Sequence, residues 1–411
     1  MTFFKRYSTY VIGFIAASAF FVGGFYLGKG EKEIVIVNKK GEPIESGEVI
    51  LNPSQVKSYL GEDVTFDLFL NVWDILREKY VDQPVSDTKL FYSAIRGLVD
   101  GLDDPYSVFM EPKISEEFNE SLNGRFEGIG AEIAIKRNLL TVVSPLPDSP
   151  AEKAGIKAKD IILKIDGVET KGMNINEAVS RIKGEKGTTV ILSILHEAAS
   201  EIVEISIVRD TIHIVSVRWE KKDDNIAYIY MSNFNSDTSS LFAAVAKEVV
   251  ESDPSGIIFD LRNNSGGYLQ TSVDVASAWI ENDIVVRERS NNSYKEYRSS
   301  GKPLFKGIPT VVLINNGSAS ASEIVAGALQ DYGLAYLIGQ QSFGKGSVQA
   351  LEELTGGSSI KYTIARWYTP KDRTIDIEGI KPDEEVELTS EDFSEDKDPQ
   401  MDRAIEYLKN L

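Results

Sequence analysis

Apolar and polar positions change period several times along the chain, and each change marks an element. An almost uncharged run from Tyr10 to Leu27 lies between Lys5-Arg6 and the cluster Lys29, Glu31, Lys32 and Glu33. At about 18 residues it is just long enough to cross a bilayer. The basic residues at its start place the N-terminus in the cytoplasm and the bulk of the chain outside. Ala17-Ser18-Ala19 has the small-x-small form of a signal-peptide cleavage site, which would give a secreted form. The apolar run continues past it to Phe25, which favours an uncleaved membrane anchor over residues 1–33. Residues 34–64 open with Ile34-Val35-Ile36-Val37, are then punctuated by Gly41, Pro43, Gly47 and Pro53, and read as a tether.

From Phe66 the period becomes helical. Phe66, Phe69, Leu70, Trp73, Leu76 and Tyr80 form one broad stripe, and Leu90 to Leu102 makes a second helix running into Asp103-Asp104-Pro105-Tyr106-Ser107. The pair reads as a helical hairpin packed on its own stripe, an N-terminal helical region over 65–123. Alternation with period two takes over at Glu132 to Ile135 and Leu140 to Val143. Asp160 to Ile165 runs into an Asp166-Gly167 turn, and Thr189 to Leu195 and Glu204 to Val208 add strands. Ser149 to Gly155 is a short helix with proline in its first turn and glycine at its end. Asn174 to Ile182 is amphipathic. Residues 124–210 therefore form a module of their own.

Over 211–390 strands and helices alternate. Ile226 to Met231 is a strand, and Ser239 to Val250 a helix turning Leu241, Ala244, Val245 and Val249 inward. Gly256 to Arg262 is a buried strand that breaks at Asn263-Asn264-Ser265-Gly266-Gly267-Tyr268. Thr310 to Ile314 repeats the logic: it breaks at Asn315-Asn316-Gly317, and Ser320-Ala321-Ser322-Glu323 leads into a helix ending near Gly333. Such turns leave unpaired backbone N–H groups at the sheet edge, at the positive end of the helix dipole. Phe343-Gly344-Lys345-Gly346-Ser347 then holds a lysine between two glycines, and Tyr362 to Pro370 is a further strand.

Two readings of Ser320 stand. Ser-x-x-Glu is a capping box, in which Ser320 merely caps the helix. A serine beside an anion-binding helix terminus is also where a nucleophile would sit in acyl transfer. It needs a base, and the only histidines, His196 and His213, fall in strands of the preceding module. Lys345 is then the natural partner in a serine–lysine pair. As base it must be uncharged, which requires burial, and Phe343 and Val348 flank it. Asp331, near the helix end, where an acid is unfavourable for the dipole, reads as a structural hydrogen-bonding residue in preference to a functional acid, and Arg262 equally as a structural partner for a carboxylate.

The formal net charge of −19 argues against nucleic acid or an anionic membrane surface as partner. Much of the acid lies between Asp383 and Asp402, a stretch that reads as solvated, with 391–411 an acidic C-terminal region carrying a terminal helix. Without cysteine, disulfides and thiolate catalysis are excluded. No metal or cofactor is implied, because two scattered histidines and dispersed acids show no ligand spacing.

The stretch Ser318-Ala319-Ser320-Ala321-Ser322-Glu323, then Ala326-Gly327-Ala328-Leu329-Gln330-Asp331, then Phe343 to Gln349 resembles the C-terminal processing (tail-specific) serine peptidases. The serine 25 positions before the glycine-flanked lysine is the nucleophile in that family, here Ser320. The resemblance makes Lys345 the general base and Gln349 the residue orienting it. It also puts the oxyanion hole at the N–H of Ala321 and of Gly266 or Gly267. Ser149 to Ile156 and Lys159 to Gly167 resemble a PDZ domain, with Gly128-Ile129-Gly130 as its carboxylate-binding loop. Tyr80-Val81-Asp82 and Leu102 to Ser107 resemble that family's N-terminal helical region, which often dimerises. The fold implied is α+β and multidomain: a crotonase/Clp-peptidase-like α/β protease core, an inserted PDZ domain, a helical region and a membrane anchor. The substrates implied are proteins or peptides bound by their C-terminal tails, outside the cytoplasm. A membrane-anchored PDZ adaptor with an inactive core, a trypsin-like PDZ protease and a crotonase-type acyl-CoA enzyme are the competing readings. The intact Ser320, Lys345 and Gln349 set speaks against the first. The missing His–Asp–Ser triad disfavours the second, and the anchor and PDZ the third.

Overall fold

The computed structural model describes residues 66–196, 199 and 201–411, so the expected anchor and tether lie outside the described residues. Among the described residues no helix is long and apolar enough to cross a membrane. The chain divides into two compact units, 1–91 and 92–411.

In the first, helix α1 (Phe66–Lys79) follows the predicted stripe, yet none of its residues is buried. Leu68, Val72 and Ile75 are all exposed. The predicted stripe itself is partly covered: Phe66, Leu70 and Trp73 are half-buried, while Phe69, Leu76 and Tyr80 are exposed. Arg77 pairs with Asp87 at the start of helix α2 (Asp87–Asp100). Further on, the region expected to be helical up to residue 123 contains strand β1 (Val108–Met110) before helix α3 (Pro112–Leu122).

The next module contains strands β2 (Arg125–Gly128), β3 (Ala131–Lys136) and β4 (Leu139–Pro145), then helix α4 (Pro150–Lys153). Strands β5 (Ile161–Ile165) and β6 (Val168–Glu169), helix α5 (Ile175–Ile182) and strands β7 (Thr189–Leu195), β8 (Ile202–Val208) and β9 (Asp210–His213) complete it. The Ser149 and Asn174 side chains cap α4 and α5, accepting from the N–H of Glu152 and Glu177. Asp166 and Gly167 both have positive φ, as a type I′ hairpin turn requires. The sheet runs β3-β4-β5-β7-β8, which leaves β3 as an edge. The pair β2–β9 closes the entry and exit of the module.

The core begins with strands β10 (Val217–Lys221) and β11 (Ile226–Met231), helix α6 (Thr238–Glu251), strand β12 (Gly256–Asp260) and helix α7 (Leu269–Ala276). Strands β13 (Ile284–Arg289), β14 (Tyr294–Arg298) and β15 (Thr310–Ile314), helix α8 (Ala321–Asp331) and strand β16 (Tyr336–Gly339) follow. Strands β17 (Ser347–Glu353), β18 (Ser359–Tyr368) and β19 (Glu384–Glu385), with helices α9 (Ser390–Ser394) and α10 (Pro399–Lys409), end the chain. One sheet has the order β10-β11-β12-β15-β16-β19, parallel from β11 onward. A parallel sheet is covered on both faces, which is why β12 and β15 read as unbroken apolar runs. Phe242, Ala246 and Val249 of α6, with α7 and α8, cover one face; Ala404 and Leu408 of α10 cover the other. Ala244, expected inward, is exposed, because the α6 face turns on Phe242 and Ala246.

The C-terminal helix is thus part of the core, while most of the acids between Asp383 and Asp402 are exposed as expected. Its apolar spacing was hidden among acids, and the half-buried Asp398 accepts from Arg262 at 2.9 and 2.8 Å. Arg262 also grips Asp260, so its expected role as a carboxylate's partner is realised twice. Burial works against its charge, but the two carboxylates outweigh it and raise its pKa. In the second sheet β18 pairs with β1, β13 and β17, which brings Val108 opposite Lys361.

Candidate active site

Strands β12 and β15 are parallel neighbours, so the two glycine turns emerge side by side at their carboxyl ends. This is where open α/β sheets place ligands. Side chains lock the turns together. Asn315 Nδ2 donates to Asn263 Oδ1 (2.9 Å), Ser318 Oγ to the Leu261 carbonyl (2.8 Å), and Ser322 Oγ to the Asn264 carbonyl (2.8 Å). Ser320 sits at the apex, before α8, with φ +53° and ψ −112°, outside the favoured regions for a residue with a Cβ. Strain of this kind costs of order 1–3 kcal/mol and collects at functional sites. Gly266 packs against this apex with φ +100°; a Cβ there would lie 2.8 Å from Ser320 Cβ and 3.0 Å from Ala321 N.

The structure separates the two glycines that the sequence leaves equivalent. The Gly266 N–H donates to Asn264 Oδ1 (2.9 Å) and is already used. Gly267 forms a parallel bridge with Phe234 through the flanking Gly266 carbonyl and Tyr268 N–H, so its own N–H points away. Gly267 is exposed, whereas Gly266 is buried. Among the described residues, neither the Gly267 nor the Ala321 N–H has an acceptor.

Glu323, legible only as the last residue of a capping box, organises the other half of the site. It is fully buried. Its Oε2 accepts from Ser320 N–H (2.8 Å) and Lys345 N–H (2.9 Å), its Oε1 from Ser342 Oγ and Gly344 N–H (both 2.6 Å). Burial raises its pKa and the four donors oppose that rise. Gly346 is needed because a Cβ there would meet the Asp376 N at 2.0 Å, where 374–379 passes behind the lysine.

Lys345 is half-buried, and Nζ lies over the Tyr106 ring, 5.6 Å from its centroid. Among the described contacts no hydrogen bond joins Nζ to Ser320. Burial lowers its pKa, the charge of Lys361 lowers it further, and Glu323 pulls it up. The expected shielding by Phe343 is not found: that side chain points outward, 55% exposed, because the glycine-flanked turn carries it off the surface. Val348 is buried as expected. Gln349, expected to orient Lys345, instead donates from Nε2 to the Ser347 carbonyl (3.1 Å) and Oγ (2.6 Å). A bulge between Val348 and Gln349 shifts its register. Asp331 has the structural role expected, accepting from Lys371 N–H (2.7 Å) and Arg373 Nε (2.9 Å).

In the inserted module the Gly128-Ile129-Gly130 loop leads into the free edge β3. Gly130 has φ +72°, and a Cβ there would meet Ser149 Cβ at 2.5 Å. The Ile129 and Gly130 N–H groups have no acceptor among the described residues. Beside this loop a cleft of about 1390 Å³ opens between α3, the end of α5 and the β17–β18 connection. Phe126, Lys183, Glu185 and Glu353 are among its lining, Ser320 and Lys345 are not.

A parallel α/β core with paired glycine turns at one edge, and a PDZ-like module inserted before it, defines a class of PDZ-bearing hydrolases. The model of peptidase family S41 matches residues 225–386, a PDZ domain residues 141–195, and the N-terminal domain of the activating protease CtpB residues 23–114. Carboxy-terminal processing protease CtpA of Bacillus subtilis is 40% identical over 334 residues, which are 81% of this chain and 71% of that protein. A carboxyl-terminal-processing protease of Synechocystis sp. is 36% identical over 345 residues, 82% of this chain and 81% of that one. Among solved structures, a photosystem II D1 C-terminal processing protease aligns with TM-score 0.51 and 28% identity, over 80% of this chain and 95% of that one. A putative S41 protease from Bacteroides fragilis gives TM-score 0.58 at 16% identity, over 82% of this chain and 96% of that one, a likeness of fold. The chain belongs to the C-terminal processing serine proteases of peptidase family S41.

Proposed function

We propose that the protein captures protein tails in its PDZ module and hydrolyses a peptide bond through a Ser320 acyl-enzyme, with Lys345 as general base. One observation carries this: a single oxygen, Glu323 Oε2, holds the N–H of both Ser320 and Lys345. Two residues 25 positions apart are thereby fixed to one buried atom. Ser320 Oγ attacks the scissile carbonyl carbon while Lys345 takes its proton. The oxyanion forms against the Ala321 and Gly267 N–H groups at the α8 terminus. Lys345 returns the proton to the leaving amine, and water releases the acyl group by the same route. Gln349 contributes by holding Ser347, two residues beyond the base.

The tail enters as an extra strand on β3, its carboxylate on the loop N–H groups of Ile129 and Gly130. The anchor over 1–33 keeps the catalytic region at the membrane on the extracytoplasmic side. The exposed apolar side chains of α1, among them Leu68, Val72 and Ile75, support pairing with a second copy.

A fluorophosphonate probe is expected to label the wild type at Ser320 and to leave Ser320→Ala unlabelled. Amidating the C-terminus of an unstructured peptide substrate raises KM with kcat unchanged. Absence of labelling would return the adaptor reading; an unchanged KM would remove tail capture.

The charge environment of Lys345 gives a pH prediction. Replacing Lys361 with glutamine removes the cation that disfavours a second proton nearby. The Lys345 pKa then rises, less of it is neutral at any given pH, and the acid limb of kcat/KM moves to higher pH. A limb that stays in place, or moves down, contradicts this electrostatic assignment.

A further inference from the structure

The loop 103–107 lies far in sequence from either glycine turn, yet it forms a wall of the site. Asp104 rivets it to β18: Oδ2 accepts from Ser107 Oγ and from Thr363 Oγ1, both at 2.6 Å, and Ser107 Oγ accepts from Thr363 N–H at 3.1 Å. Asp104 Oδ1 accepts from Tyr106 N–H (3.1 Å), which fixes the backbone of the ring that faces Lys345 Nζ. Thr363 pairs in register with Gln349, so the rivet lies on the strand pair that continues from the lysine. Behind the site, Lys361 Nζ lies over the Phe118 ring, 5.3 Å from its centroid.

We propose that Tyr106 is a positioning residue for the base: its ring face excludes water from Lys345 and receives the ammonium as that amine takes the serine's proton. This rests on Lys345 being the general base. An aromatic face attracts a cation within about 6 Å of its centroid and offers a neutral amine little. The ring therefore acts chiefly in the transition state, where the ammonium develops. The charged groups around the pair are Lys361 from β18, Glu323 from α8, and Asp376 and Asp104, which face the tyrosine, with Arg366 of β18 paired to Asp376 at 2.7 Å. The tyrosine's own pKa is raised, by burial first and then by Asp376, Glu323 and Asp104, so the phenol stays neutral while the lysine titrates.

The test compares three variants of the full chain on one unstructured peptide across a pH series. Tyr106→Phe keeps the ring, and kcat and the acid limb stay near wild type. Tyr106→Leu keeps an apolar wall without the π face. Its kcat falls by about three- to thirtyfold with KM held, and its acid limb moves to lower pH, because the ammonium has lost its partner. Tyr106→Ser admits water, and the limb moves the opposite way, to higher pH. A Tyr106→Leu enzyme as fast as wild type overturns the inference, as does a Tyr106→Phe enzyme impaired as much as Tyr106→Leu, since the hydroxyl would then be the active part. Thermal melts of all three, with Tyr106→Phe as the folded reference, separate loss of catalysis from loss of fold. If Lys345→Ala keeps near wild-type turnover, the base assignment falls and this inference with it. If Lys345→Ala is inactive while Tyr106→Leu is unaffected, only the inference falls.

Discussion

Replacing Lys345 with alanine leaves a folded protein that cleaves an unstructured peptide about 10²–10⁴ times more slowly, the usual worth of a general base. The fold survives because the tie to Glu323 runs through the backbone N–H, which alanine keeps. The amine has no ion pair among the described residues, and its lowered pKa shows that burial disfavours the charge. Removing it therefore leaves the melting temperature unchanged or raised. Single-turnover kinetics beside a thermal melt make the check: near wild-type turnover at neutral pH refutes the assignment. A protein that fails to fold would instead show that the side chain holds the segment together.

The alternation of apolar strands with helices was legible because each parallel strand is buried on both faces. Thr310 to Ile314 and Gly256 to Asp260 announce themselves as continuous β-branched and aromatic runs. The C-terminal helix was less legible. Ala404 and Leu408 are two small signals among acids, and only the sheet face they cover reveals their purpose. The stripe of α1 illustrates the opposite failure. Its period predicts a helix correctly but says nothing about what covers it.

The site divides in the same way. Ser320, Lys345 and the glycine turns stand out because tight turns demand special residues that remain visible in one dimension. Glu323 was visible as the fourth residue of Ser-x-x-Glu, but a capping box predicts one acceptor for one N–H. The observed carboxylate also reaches Ser342, Gly344 and Lys345, a convergence that no local pattern encodes. Tyr106 and Lys361 are harder still. They reach the base only because β1 pairs with β18, and that register is a property of the assembled sheet.

The second large effect falls on Glu323, where stability and catalysis are joined. Glutamine in its place keeps the volume but turns one oxygen into a donor. With the amide nitrogen toward Ser320 and Lys345 two backbone N–H groups face a donor; with it toward Ser342 and Gly344 the Ser342 hydroxyl turns to accept, and only the Gly344 N–H is left without an acceptor. Leaving a buried donor unsatisfied costs about 1–3 kcal/mol, and the amide takes the orientation that strands one, so Glu323→Gln is expected to lose about 1–3 kcal/mol in denaturant unfolding. Its kcat falls as well, because the Gly344 N–H, next to the lysine, no longer has its acceptor. The pH profile moves independently of both losses. The native carboxylate raises the Lys345 pKa, so neutralising it lets that pKa fall and shifts the acid limb to lower pH, opposite to Lys361→Gln. A variant that unfolds at the wild-type denaturant midpoint would mean that the four contacts contribute nothing net. One that is destabilised but shows an unmoved acid limb would leave Glu323 a scaffold without electrostatic reach to the base.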